Sequence, residues 1–513
     1  MLKAVTSSLA RSEKLLEPAL CPPAWLVASS FIYLLLPVAI FMLTWVKLAV
    51  GLPVALLLLG STFQLWQANS LKEESPRYFT SRLLLLLAVL ALVWCLLSGI
   101  GGWFFQRFDY LKHNAIFREL VQRPWPVHFA ELPYTRGAAW LNYYMAWYLP
   151  PALVAKATGI ASLEGLSLLW SWAGAWLVLC WAVYFVPGRW WWGVLPLLLF
   201  GGAEAAVVAG QLLEKIATGE LNTAWLYHTL RTGWEVAFAN KVFRYMAHTV
   251  LLTWSPQFAI GVWLATALAW HFLQTARLVA FLPLAGVCLL LWSPMATAGL
   301  ALLCLLRLRH EHLAALLKPL PLLATAAAGF VLVAFFMAHL PLGSPSFTFQ
   351  ETGLATFAWK YPLFLLIEYL LLILLMWRFF PPEEQRKIFS LCLLLALFPF
   401  LKFGYNNDWL IQSGVAPLFV LSLYLGRFLA ARAYQKMPRW QKAVFFTLLL
   451  LMAANPARYW LISLFRPVLE PQLPTATTVQ ASAGLAEAGF APEIGRQYLG
   501  QEGAFFYQVL ARR

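Results

Sequence analysis

Ala24-Trp25-Leu26-Val27-Ala28-Ser29-Ser30-Phe31-Ile32-Tyr33-Leu34-Leu35-Leu36-Pro37-Val38-Ala39-Ile40-Phe41-Met42-Leu43-Thr44-Trp45-Val46 runs for 23 residues without a charge. A helix needs about 20 such residues to cross the hydrocarbon core of a bilayer. Lys3, Arg11 and Lys14 precede the run and no small-residue cleavage site is obvious. It is too long for a signal-peptide core, so it reads as an uncleaved signal anchor with its N-terminus in the cytoplasm.

The same pattern recurs along the 513 residues. The chain is 61% hydrophobic and 12% charged, with a mean hydropathy of +0.70; a soluble domain is about 25% charged. The apolar runs are continuous and do not alternate, which argues for spanning helices and against a β-barrel. Clusters such as Trp190-Trp191-Trp192 suit the membrane–water boundary. The net charge of +15 lies largely in short loops, where it orients the chain, meets anionic lipid and suits a phosphorylated substrate; it does not require nucleic acid. Cys95, Cys180, Cys288, Cys304 and Cys392 fall inside apolar runs and Cys21 precedes the first. No CxxC occurs, which argues against structural zinc or a redox centre. The P-loop, GxSxG and Rossmann patterns are absent, which argues against ATP-driven pumping, serine-hydrolase chemistry and nicotinamide use.

Candidate spans are 25–46, 48–66, 83–104, 164–186, 190–202, 257–275, 279–292, 294–306, 320–341, 360–378, 388–403, 412–431 and 441–456. The reading is an all-α integral membrane protein of about 13 transmembrane helices with outer juxtamembrane helices. Basic loops around Lys72–Arg82, Arg307–Lys318, Arg378–Lys387 and Arg427–Lys442 face the cytoplasm by the positive-inside rule. A multi-span domain, 1–456, then carries outer loops 105–163 and 203–256. A short C-terminal extension, 457–513, is expected on the periplasmic side of a bacterial inner membrane, packed against the outer loops. Trp140–Thr158 is apolar enough to cross, but Pro150-Pro151 interrupts it; it reads as an interfacial or re-entrant helix. No internal repeat stands out, which weighs against a transporter built from two similar halves.

Two aspartates, Asp109 and Asp408, are all that the chain contains, and both stand at span mouths on the expected outer side. Each reads either as a catalytic acid or as a helix cap. Asp109, Lys112 and His113 have i, i+3, i+4 spacing and share one face of a helix, with Asn114 and Arg118 on a neighbouring face. A carboxylate beside an imidazole and cations suits general-base work with an anionic leaving group; the same residues also suit a solvated juxtamembrane helix. Glu204 follows Gly201-Gly202 and is a second candidate acid, or a helix start. Arg244 and His248 have the i, i+4 spacing of one helical face, and with Lys241 they suit a lipid-linked phosphate or lipid headgroups. Asn407 stands beside Asp408 in Lys402–Asp408, a turn in which the acid either bonds its own backbone or orients a sugar hydroxyl. No metal-ligand spacing accompanies these residues, and a divalent cation stays open.

Asp109-Tyr110-Leu111-Lys112-His113-Asn114-Ala115-Ile116-Phe117-Arg118 with Pro124-Trp125-Pro126-Val127, Trp254-Ser255-Pro256-Gln257 and Tyr405-Asn406-Asn407-Asp408 resemble bacterial multi-span proteins of the GT-C superfamily of membrane glycosyltransferases. The resemblance implies a polyprenyl-phosphate-linked sugar donor and a transfer on the periplasmic side. It implies that Asp109 deprotonates an acceptor hydroxyl or amine. Lys112, His113, Lys241 and Arg244 would hold the donor phosphate, and Glu204 or Asp408 would orient the acceptor or a cation. Many members carry an acid pair or DxD in this loop, where Asp109 stands alone, and the Trp-Trp-Asp signature is missing. Metal use and the acceptor glycan, lipid or protein are therefore open. Two rival readings accompany it. One is a transporter or flippase of a lipid-linked or anionic solute, for which Glu368 is the clearest acid inside a span. The other is a non-catalytic assembly partner.

Overall fold

Helices begin where the chain supplies the chemistry for a beginning. Thr80 opens the helix Ser81–Leu97, its hydroxyl accepting the Leu83 N–H at 3.2 Å. Ser293 does the same for Pro294–Leu305, accepting Ala296 N–H at 3.0 Å, with Pro294 in the first turn where no N–H is needed. Prolines also open Pro256–Thr275, Pro319–Met337 and Pro382–Leu397.

A computed structural model describes residues 22–70, 79–133, 135, 137–231, 234, 242–275, 278–341, 343–404, 406–469 and 479–512. These residues form an α-helical protein with a few strand pairs of two or three residues. Seven helices among them are long and apolar enough to cross a membrane. The bent pair Trp191–Leu199 and Glu204–Ala217 makes an eighth if it is one span. Helix occupies most of each of the thirteen expected segments, but several are short. Leu282–Leu290 and Pro294–Leu305 have 9 and 12 residues, roughly 14 and 18 Å at 1.5 Å per residue, against a hydrocarbon core of roughly 30 Å.

The reading of Trp140–Thr158 needs correction. Ala139–Leu141 is a strand, and the helix runs only from Leu149 to Thr158. Pro150 and Pro151 lie in its first turn, where they start the helix rather than interrupt it.

The chain divides into two units, one of Pro23–Val178, Leu252–Ser344 and Arg466–Arg513, the other of Leu179–Leu251 and Pro345–Phe465. In the first, Pro256–Thr275 is the most enclosed candidate span, with 89% of its apolar window buried. Tyr33 stacks on Trp170 with ring centres 3.9 Å apart, and Trp292 lies 5.6 Å from Tyr33. The second is built on Trp191–Leu199, Leu354–Leu365 continuing to Met376, Pro382–Leu397, Val415–Ala430 and most of Arg439–Leu469.

The C-terminal segment is woven into the first unit. Leu499–Gln501 pairs antiparallel with Ala139–Leu141, which pairs in turn with His128–Phe129. Arg118 donates to the Ser482 carbonyl. Glu119 accepts the Leu485 N–H at 3.0 Å, and Glu164 accepts the Val479 N–H at 2.7 Å. The boundary expected at 456 falls inside a helix, since Arg439–Leu469 continues through it.

Candidate functional site

The sequence-predicted residues fall into both units. Asp109, Lys112, His113 and Arg118 belong to the first; Glu204, Arg244, His248, Asn407 and Asp408 belong to the second. Lys241 lies outside the described residues.

Asp109 occupies the cap position of the helix Tyr110–Gln122, but its backbone is already helical and its side chain caps nothing. A capping residue has extended backbone angles and accepts an N–H of the first turn. The Asp109 carboxylate instead takes the Lys112 ammonium, Oδ2 to Nζ 2.6 Å. Asp109 keeps 29% of its side chain exposed and Lys112 13%. Burial works against the lysine's charge, yet Asp109 and the Tyr143 and Tyr498 hydroxyls outweigh it and hold the ammonium above the usual lysine range. The pair is a carboxylate open to solvent and a cation that stays charged.

His113 has a different role from the expected one. It is fully buried. Nε2 lies 3.2 Å from the Trp254 carbonyl and Nδ1 lies 2.7 Å from the Tyr148 hydroxyl. A carbonyl only accepts, so Nε2 carries the proton and Nδ1 accepts from Tyr148. Burial, reinforced by Lys112, pushes the imidazole down to about 3 and keeps it neutral. It ties three segments together and offers nothing to a phosphate. Arg118 is likewise engaged with Ser482 and with Gln122 Oε1, the latter at 3.2 Å.

Of the aromatics near these motifs, Tyr143 meets Tyr144 and also Tyr498, which the spacing argument did not name as a site residue. Tyr143 stacks on Tyr144 at 4.6 Å and meets the edge of Tyr498 at 5.0 Å. Gln257 Nε2 lies 3.4 Å from the Tyr143 hydroxyl. Tyr498 comes from the C-terminal segment, and no local pattern could have attached it to Lys112. Tyr143 and Tyr498 are buried.

In the second unit, Gly202 and Glu368 meet. A Cβ on Gly202 would stand 2.6 Å from Glu368 Oε2, so only glycine lets the carboxylate this close. Ala203 N–H donates to the Ile367 carbonyl at 3.0 Å. The buried acids Glu204 and Glu368 are therefore the next residues after the two ends of one backbone hydrogen bond. Glu204 is the first residue of the helix Glu204–Ala217, where the helix dipole favours an acid. Glu368 sits in a π-helical turn, Leu366–Leu370, a local widening that frequently marks function.

The helical-face argument for Arg244 and His248 fails, because the helix begins only at His248 and residues 242–247 are irregular. Both are buried. Burial pushes His248 down to about 3, against a hydrogen bond to the Leu418 backbone that works the other way, and leaves it neutral.

Asn407 is buried and adopts the left-handed conformation, φ +54°. Its Nδ2 donates to the Val242 carbonyl at 2.8 Å and its Oδ1 accepts from Phe403 N–H at 3.4 Å. Its amide holds the turn together and is not open to a substrate. Asp408 is the first residue of the helix Asp408–Ser413, with Asn407 in the cap position. The Asp408 carboxylate folds over Gly404, where a Cβ would stand 2.1 Å from Oδ2.

No family model matches the chain, and neither a curated protein nor a solved structure matches it. Among the described residues no three His, Cys, Asp or Glu side chains gather as a metal site would require.

Proposed function

We propose that the chain is a GT-C-like membrane glycosyltransferase that moves a sugar from a polyprenyl-phosphate donor to an acceptor. One observation carries this reading: the Asp109 carboxylate stands free of capping duty, solvent-accessible, and 2.6 Å from the Lys112 ammonium. Asp109 accepts the proton of the acceptor hydroxyl. The acceptor oxygen bonds to the anomeric carbon as the bond from that carbon to the phosphate oxygen breaks, and the electron pair leaves on the polyprenyl phosphate. Lys112 stabilises the negative charge that develops there. About 13 spans in a bacterial inner membrane, with the N-terminus cytoplasmic and residues 105–163, 203–256 and 457–513 periplasmic, complete the proposal. The test is transfer of labelled sugar from a polyprenyl-phosphate donor by the purified chain in proteoliposomes.

Glu368 favours a second reading, transport or flipping of an anionic or lipid-linked solute. A buried acid inside a candidate span, in a π-helical turn beside Glu204, suits a proton or cation relay. Solute flux with no covalent product in the same vesicles would select this reading.

A further inference from the structure

We propose that the unit containing Leu179–Leu251 and Pro345–Phe465 binds one anionic phospholipid, with an acyl chain in an apolar groove and its phosphate on cations at one end of that groove. The groove has a volume of about 330 Å³ and is lined by Trp192, Leu195, Leu429, Phe446, Leu449 and Ala453 with their neighbours. Its walls come from Trp191–Leu199, Val415–Ala430 and Arg439–Leu469. A Cβ on Gly426 would stand 2.4 Å from the Trp192 carbonyl, so the end of the second helix lies on the start of the first.

Each of the three walls runs into a cation at this same end. On the long helix, Phe446, Leu449 and Ala453 continue backwards at helical spacing to Lys442 and Arg439. Beyond Leu429, the chain reaches Arg432, exposed, three residues on. Before Trp192 stands Arg189, exposed and resting on the Trp191 ring at 4.8 Å. Among the described residues, Arg189, Arg432, Arg439 and Lys442 share no ion pair with a carboxylate. The acids of the neighbouring helix Pro382–Leu397 are already engaged: Glu383 and Glu384 both hold Lys387, at 3.0 and 2.6 Å, and Glu384 also takes the Tyr424 hydroxyl. An apolar slot ending in unneutralised cations is complementary to a lipid whose headgroup is negative. A zwitterionic lipid would fill the slot without answering the charge.

The test uses the full chain, purified in detergent and offered equimolar phosphatidylglycerol and phosphatidylcholine with identical acyl chains. Lipid retained by the intact protein is then read by native mass spectrometry. One phosphatidylglycerol should be kept in preference to phosphatidylcholine by at least about tenfold. The triple variant R432Q/R439Q/K442Q should bring the preference towards parity, at about fivefold per cation removed. Leu449→Trp, which fills the slot, should lower retention of both lipids. Equal retention of the two lipids by the wild-type chain overturns the proposal without recourse to any variant. So does a triple variant with undiminished preference, unchanged retention in Leu449→Trp, or displacement of the lipid by inorganic phosphate at comparable concentration.

Discussion

The Lys112 ammonium lies 2.6 Å from the Asp109 carboxylate, one turn into a helix that this aspartate opens without capping. A cap would have spent the carboxylate on a backbone N–H. The ion pair keeps it exposed and places beside it a cation that burial fails to discharge. Lys112→Met should leave the fold intact and lower the turnover of sugar transfer by about 10²-fold or more, the usual loss when a group stabilising developing charge is removed. Lys112→Arg should restore part of it. Turnover measured under donor saturation separates this from weaker donor binding.

Stability should fall on acidification below neutrality. His113 and His248 are both held neutral, down to about 3 from an ordinary 6.5. The unfolded chain therefore binds more protons than the folded one between these values. The stabilisation is fully present above about 6.5 and is lost as pH falls towards about 3, with a slope approaching 1.4 kcal/mol per pH unit for each imidazole. Thermal unfolding of the purified chain as a function of pH checks the sign. Replacing His113 by Gln should flatten the slope by about half.

Gly404 has φ +84°, and its missing Cβ is the space that the Asp408 carboxylate fills. Gly404→Ala should cost about 1–2 kcal/mol from the left-handed backbone alone, with the clash in addition. Asp408→Ala in the same chain should relieve the carboxylate's part of the clash, leaving the residue 408 Cβ contact at 2.8 Å and the backbone cost. A thermal-shift double-mutant cycle would show this coupling, and strict additivity would contradict it.

Glu119 is buried, holds the Leu485 N–H and pairs with Arg123. Glu119→Ala should leave that N–H without its acceptor, at a cost of about 1–3 kcal/mol, and loosen the segment around 479–485. Limited proteolysis should cut there faster than in the wild-type chain, with Arg123→Ala showing a smaller effect.

The helical class was legible because run length and the absence of charge are local properties of the chain. The Asp109–Lys112 pair was legible for the same reason: i, i+3 spacing becomes proximity as soon as a helix forms. What failed depended on distant partners. His113 answers to Tyr148 and Trp254, 35 and 141 residues away, and these turn an expected phosphate ligand into a buried tie. Asn407 answers to Val242, 165 residues away. Arg244 and His248 were paired by a helical spacing that applies only where a helix exists. Pro150-Pro151 misled because proline is compatible with either end of a helix, and only the strand at Ala139–Leu141 shows which end it marks. Glu368 was noticed as an acid inside a span, but its approach to Gly202 arises only in the folded chain.

The most direct test is the initial rate of sugar transfer from a polyprenyl-phosphate donor in proteoliposomes, compared between the wild-type chain and Asp109→Asn. The substitution keeps the size of the side chain and removes its ability to accept a proton, so turnover should fall by about 10²- to 10⁴-fold with the thermal midpoint little changed. Wild-type turnover in Asp109→Asn would contradict the account.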